Sequence, residues 1–170
     1  MRIVGGVWRG RQIKAPRGSA VRPTLDRVRE AWMSIVQLAL PGARVLDLFA
    51  GSGALGIEAL SRGASSADFV DADSRSLAVV RSNLELLGAT DQSSLIRADA
   101  VDFAGRLTAE SYDVVFADPP YVSDACVRIA EIWLRSPFSG LLGIEHSRSQ
   151  VMPEGGDTRR YGDSGVTFYR

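Results

Sequence analysis

The stretch Leu46-Asp47-Leu48-Phe49-Ala50-Gly51-Ser52-Gly53-Ala54-Leu55-Gly56 decides how this chain is read. Arg44–Phe49 is a short apolar run that suits a strand, and 53–62 has helical spacing, so the three glycines fall on a strand-to-helix turn. Such a turn lies at the carboxyl edge of an α/β sheet, where ligands bind. Gly51 and Gly53 let the backbone turn sharply and approach a ligand, while Gly56 lets the helix pack closely on the strand.

The same alternation continues outward. Strands are expected at 67–71, 94–98, 112–117 and 141–145, with helices at 74–87, 100–107 and 123–135 between them. Strands separated by helices require right-handed crossovers and a largely parallel sheet. Thr158–Tyr161 and Val166–Tyr169 flank Gly162-Asp163-Ser164-Gly165, the pattern of an edge hairpin. Upstream, Leu25, Val28, Trp32, Ile35 and Ala39 mark a helix at about 25–39, preceded by a turn-rich segment from Pro16 to Pro23. Residues 2–15, broken by Gly5, Gly6 and Gly10, suit a small β-hairpin.

The glycine spacing satisfies the dinucleotide pattern G-x-G-x-x-G, and a nicotinamide or flavin enzyme is one reading of it. Asp47 favours another. A pyrophosphate at a helix N-terminus is drawn to backbone N–H groups, whereas a carboxylate four residues before Gly51 opposes an anion and suits a cation. S-adenosylmethionine is cationic, carries no phosphate, and its sulfonium tolerates the face of an aromatic ring such as Phe49. Asp71, 20 residues after Gly51, is placed for ribose hydroxyls, and Asp99 for an adenine amino group, with Ala72 and Ala100 beside them. Either adenosine cofactor would use these carboxylates, and helix N-caps are the alternative role for all three aspartates.

Asp118-Pro119-Pro120-Tyr121 follows the fourth core strand. The exocyclic amine of a nucleobase is a poor nucleophile because its lone pair is delocalised into the ring. An Asp118 carboxylate and the Pro119 carbonyl can accept its two N–H groups and aim the recovered lone pair at a methyl group. Both prolines fix φ and bring no competing donor. Tyr121 offers a flat face on which an everted base can stack. A proline-rich turn with a buried tyrosine is the alternative.

With 170 residues and 24% charged positions, the chain has the size and composition of one globular domain. A lone cysteine, Cys126, and a lone histidine, His146, exclude a disulfide framework and a His- or Cys-rich metal site, so no metal is expected. No signal peptide or membrane span is legible, which suits a cytoplasmic protein. The formal net charge is +0, yet it is segregated: residues 1–30 carry a net +6 and residues 31–170 a net −6.

Residues 43–145 resemble the core of the Rossmann-like S-adenosylmethionine-dependent methyltransferases, and the whole chain resembles the RsmD family of bacterial 16S ribosomal RNA guanine-N2 methyltransferases. The resemblance is carried by Arg2-Ile3-Val4-Gly5-Gly6-Val7-Trp8-Arg9-Gly10-Arg11, by Arg22-Pro23-Thr24-Leu25-Asp26-Arg27-Val28-Arg29-Glu30, by the glycine loop and by Asp118–Tyr121. The first two segments are the more specific, since the last two recur in adenine-N6 DNA methyltransferases and protein-glutamine methyltransferases. Family members commonly have Glu at the Asp71 position and often Phe at Tyr121, changes that are chemically tolerable.

The resemblance implies an α/β fold with a mostly parallel seven-stranded sheet, an antiparallel C-terminal hairpin and a small N-terminal hairpin-plus-helix extension. It implies methylation of one guanine in the small subunit, with Asp47, Gly51, Asp71 and Asp99 on the cofactor. Residues 1–24 then read as a basic extension that recognises RNA, and 25–170 as the methyltransferase domain with its leading helix. Trp8, Arg9, Arg11, Arg22, Thr24 and Arg27 are the expected RNA contacts, because arginines pair with phosphates and an aromatic ring stacks on unpaired bases. The expected partner is 16S rRNA, the small ribosomal subunit or its assembly intermediate, and a monomer is expected. Two alternatives are a DNA adenine-N6 methyltransferase, for which 170 residues leave little room, and a non-catalytic RNA-binding assembly factor, which the intact Asp118–Tyr121 motif opposes. Glu145, His146 and Cys126 receive no role.

Overall fold

A computed structural model describes residues 1–15 and 23–170, with the backbone alone at 23–25. The turn-rich segment lies outside the described residues as far as position 22. Helix α1 (Pro23–Val36) opens on a proline, whose missing N–H costs nothing at a helix start, and ends in a 3-10 turn at Gln37–Ala39. There follow β1 (Arg44–Leu48), α2 (Ala54–Ser61), β2 (Ser66–Asp71), α3 (Ser74–Leu87), β3 (Ser93–Arg97), α4 (Ala100–Ala104), β4 (Tyr112–Ala117), α5 (Ala125–Arg135), β5 (Ser139–Ser147), β6 (Asp157–Tyr161) and β7 (Ser164–Tyr169). The strands form one seven-stranded sheet in the order β3-β2-β1-β4-β5-β7-β6. Five are parallel, and β7 runs antiparallel between β5 and β6, as the alternation and the closing hairpin signature predict.

Side chains alternate across each strand, so the two faces of the sheet build separate cores. Val45, Phe69, Val114 and Phe116 face α1, α2 and α3. Leu46, Leu48, Val115 and Leu142 face α4 and α5, where Ile129 and Trp133 cover them. Trp32 of α1 centres the first core, meeting Phe116 and Phe168 edge to face at centroid distances of 5.6 and 6.3 Å.

The N-terminal segment forms the expected small hairpin, with Ile3 N–H donating to the Arg11 carbonyl at 3.0 Å and Ile13 N–H to the Met1 carbonyl at 2.9 Å. A single antiparallel bridge joins Arg2 to Gln12, because Gly5, Gly6 and Gly10 spend the intervening residues on turns. Ile3 and Ile13 anchor it in the first core. Its turn is clamped by α2, where the buried Glu58 carboxylate accepts the N–H groups of Val4 (2.9 Å) and Gly5 (2.7 Å) and pairs with Arg62 at 3.0 Å. The main chain of Lys14 is held by the buried Asn83 of α3, whose Oδ1 accepts Lys14 N–H at 2.8 Å. The amide nitrogen of Asn83 donates to the carbonyls of Lys14 (3.0 Å) and Ser52 (2.9 Å), tying the extension to the glycine loop.

Gly56 shows what fixes that loop against the sheet. A Cβ there would stand 2.4 Å from Cε1 of Phe69 on β2, too close for the buried ring to accommodate in place. Gly56→Ala is therefore expected to destabilise the fold by about 1–3 kcal/mol, the scale of an overpacked core. Urea unfolding monitored by tryptophan fluorescence measures the difference.

Candidate active site

The strand order reverses between β1 and β4, which opens a crevice at the carboxyl ends of these two strands. The register aligns what lines it. Asp47 pairs with Phe116, and Ala117 pairs with Ile144, so Asp118 and Glu145 follow side by side on neighbouring strands. By the two-residue period, Asp47, Asp118 and Glu145 share the face covered by α1. These three carboxylates line one cleft with Phe49, Gly51 and Trp32.

Asp47 is buried, and its Oδ2 accepts the Gly56 N–H at 2.9 Å, pinning the end of β1 to the first turns of α2. Burial pushes its pKa up to about 8; the Gly56 N–H opposes that shift and the charge of Asp71 adds to it. A buried carboxylate that ionises reluctantly is suited to a cation, whose charge replaces the lost hydration. Phe49 carries φ 60 and Gly53 φ 78, so the chain enters the left-handed region on both sides of Gly51. For a phenylalanine this conformation is strained, and such strain gathers at binding sites.

Asp71 ends β2 and is half-buried. Its Oδ2 accepts Gly51 N–H at 2.9 Å and its Oδ1 accepts Asp73 N–H at 2.8 Å. Each oxygen keeps a further lone pair for a ligand hydroxyl. Asp99 caps α4 by accepting Asp102 N–H at 2.9 Å and is exposed, so the capping alternative holds for this residue while one of its oxygens stays open. Ala72 is exposed beside Asp71, and Ala100 is buried at the start of α4.

At the end of β4, Asp118 keeps one side open to solvent but stands deep against the protein, beside Glu145 and Asp47. Burial and then these two charges raise its pKa well above the ordinary carboxylate range, and the open side moderates the effect. The Pro120 carbonyl is taken by Ser123, which donates from its N–H (3.1 Å) and its hydroxyl (2.9 Å). The Pro119 carbonyl has no donor among the described residues. Tyr121 leaves 46% of its surface exposed, while its hydroxyl donates to Glu145 Oε1 at 2.7 Å beside the Ser164 hydroxyl. The ring thus stands at the rim with its polar end fixed.

Glu145 is the residue that sequence reasoning missed. The signal was present: a carboxylate closing the apolar run Leu141-Leu142-Gly143-Ile144 repeats the logic of Asp47 and Asp118. The adjacent His146 is structural, its Nε2 meeting Thr167 Oγ1 at 2.7 Å, and Cys126 is buried in the second core.

Among the expected RNA contacts, Arg9, Arg11 and Arg27 are exposed, with Arg11 donating to the Leu86 carbonyl at 2.8 Å. Trp8 is half-buried against the first core. Arg22 and the Thr24 side chain lie outside the described residues. Among the described residues no helix is long and apolar enough to cross a membrane, and no cluster suits a metal ion.

Comparison with known proteins places the chain. Its residues 1–170 match the family model described as Conserved hypothetical protein 95. YlbH of Bacillus subtilis is 38% identical over 181 residues, covering 100% of this chain and 98% of that protein. Ribosomal RNA small subunit methyltransferase D of Haemophilus influenzae is 30% identical, covering 100% of this chain and 92% of that one. The chain belongs to the RsmD family. The solved structure of yhhF from Escherichia coli agrees with this, with a TM-score of 0.84, 30% identity, and coverage of 99% of this chain and 96% of that one. RsmD-family membership extends over the basic extension as well as the sheet, because the match begins at residue 1.

The raised pKa of Asp47 sets a trade-off that can be measured. Its folded value exceeds its unfolded one, so the unfolded state binds fewer protons between about pH 4 and pH 8 and the native state loses stability as pH rises through that window. Asp47→Asn keeps an acceptor for Gly56 N–H and removes this penalty. In thermal scans of the ligand-free protein, the variant is expected to melt above the wild type at pH 8, with the gap closing toward pH 4.

Proposed function

We propose that the protein transfers a methyl group from S-adenosylmethionine to the exocyclic N2 of a guanine in small-subunit ribosomal RNA. The observation that carries this reading is the free Pro119 carbonyl and the open side of Asp118 beside the glycine loop, in a chain similar along its whole length to a ribosomal RNA small subunit methyltransferase.

The cleft fits the donor. Buried Asp47 suits its ammonium, the Phe49 ring suits its sulfonium, and Asp71 has lone pairs left for the ribose hydroxyls. Asp99 and the neighbouring Ala72 and Ala100 border the place for its adenine, with Gly51 and Gly53 shaping the turn. When bound, the donor supplies an electrophilic methyl group on a cationic sulfur. The residues of this chain do the rest. Tyr121 takes the everted base on its ring, Pro119 and Asp118 accept the two amine hydrogens, and Pro120 stiffens the turn that holds both. The nitrogen turns cationic as its bond to carbon forms, and Asp118, with its raised pKa, is a suitable acceptor for the proton released.

The basic extension, residues 1–24, supplies RNA affinity in this reading, with Arg9, Arg11, Arg22 and Arg27 toward phosphates and Trp8 and Thr24 beside them. Deleting residues 1–24 would uncover Glu58 and Asn83 and disturb the glycine loop, so substitutions test this role more cleanly than truncation.

Methylation of small-subunit rRNA from cells lacking the gene, followed by nuclease digestion and mass mapping, tests the reading; absence of N2-methylguanine overturns it. Asp118→Ala is expected to lower turnover about 10²-fold with donor affinity nearly unchanged, measured by single-turnover assay and calorimetry. Changing Arg9 and Arg11 together to Ala is expected to flatten the slope of log affinity against log salt by about 2, while S-adenosylmethionine still binds.

A further inference from the structure

The third carboxylate of the cleft has a geometry that the transfer step alone does not use. Glu145 is buried, and both donors it meets fall on one oxygen: Oε1 accepts the hydroxyls of Tyr121 (2.7 Å) and Ser164 (3.1 Å). Among the described residues Oε2 has no hydrogen-bond partner, and Glu145 lines the cleft beside Asp118. A carboxylate held by two hydroxyls at one oxygen presents the other in a fixed direction, and here that second oxygen opens into the cleft, where a ligand can reach it. Glu145 is therefore built to receive a donor that arrives with the substrate.

The chemistry of the base identifies that donor. In guanine, N1–H and the N2 amine point outward from the same edge. A base whose N2 amine is seated between Asp118 and the Pro119 carbonyl carries a second donor next to that amine. Glu145 is the neighbour of Asp118 across the β4–β5 register. Adenine offers the opposite pattern, with an N1 lone pair beside its amine, and would set two acceptors against each other.

We propose that Glu145 is the specificity-determining residue of the site, its Oε2 accepting guanine N1–H while the Asp118–Tyr121 motif holds the N2 amine. The inference rests on the guanine-N2 reading above and goes beyond it by assigning base choice to a residue outside the motif. The tether through Tyr121 also ties base selection to stacking, since the carboxylate that reads the edge holds the phenol whose ring takes the face.

2-Aminopurine separates edge reading from transfer, because it keeps the 2-amine and exchanges N1–H for a lone pair. Small-subunit rRNA is ligated from two pieces to carry guanine or 2-aminopurine at the nucleotide that the wild type methylates, and kcat/KM is measured for both. The wild type is expected to prefer guanine. In Glu145→Gln, whose amide can donate to the bare N1, that preference is expected to fall roughly tenfold or more, the scale of one buried hydrogen bond to a charged group. Ser164→Ala, which removes a tether and leaves the acceptor, is expected to keep the preference even if it slows transfer. An unchanged preference in Glu145→Gln overturns the assignment and leaves the rRNA reading standing. A wild type that methylates no guanine overturns both.

Discussion

The parallel register of β1, β4 and β5 governs everything at the carboxyl edge of this sheet. Pairing of Asp47 with Phe116, and of Ala117 with Ile144, puts three carboxylates on one face within a single cleft. A slip of one residue in either pairing would carry a carboxylate to the opposite face, into the core under α4 and α5. The register is itself held by apolar packing, with Trp32 laid across the first face against Phe116 and Phe168. This geometry of charge is thus maintained by residues that carry none.

Three carboxylates in one cleft repel one another, and burial makes the repulsion costly. The protein contains the cost with backbone and hydroxyl donors. Asp47 has the Gly56 N–H, Glu145 has two hydroxyls, and Asp118 keeps a side open to water. Burial, helped by the charge of Asp71, raises the pKa of Asp47, and burial with the charges of Glu145 and Asp47 raises that of Asp118. A site in this condition favours cations and hydrogen-bond donors, and both belong to the chemistry assigned to it.

Much of this was legible in the sequence because its signals are local. Glycine spacing, strand and helix periods, and the Asp118–Tyr121 turn each occupy a few consecutive residues, and the seven strands followed from them. Asp99 shows the ambiguity of such signals, since a carboxylate after a strand caps α4 here as well as facing the edge. Glu145 was legible only as a carboxylate closing a strand, because what sets its orientation comes from lateral neighbours 24 and 19 residues away, Tyr121 and Ser164. The N-terminal hairpin was legible from its glycines, but its clamp was not, since Glu58 lies more than fifty residues downstream.

The amide of Asn83 has the further consequence of joining two ligand territories. It holds Lys14 in the basic extension and Ser52 in the glycine loop from one buried side chain. A ligand that draws the extension outward must strain or break the same bonds that shape the loop, and a ligand that tightens the loop steadies the extension. Any such coupling is reciprocal in free energy, whichever ligand arrives first. Nucleic acid and donor would then bind as thermodynamically linked partners, with Asn83 as one joint between them.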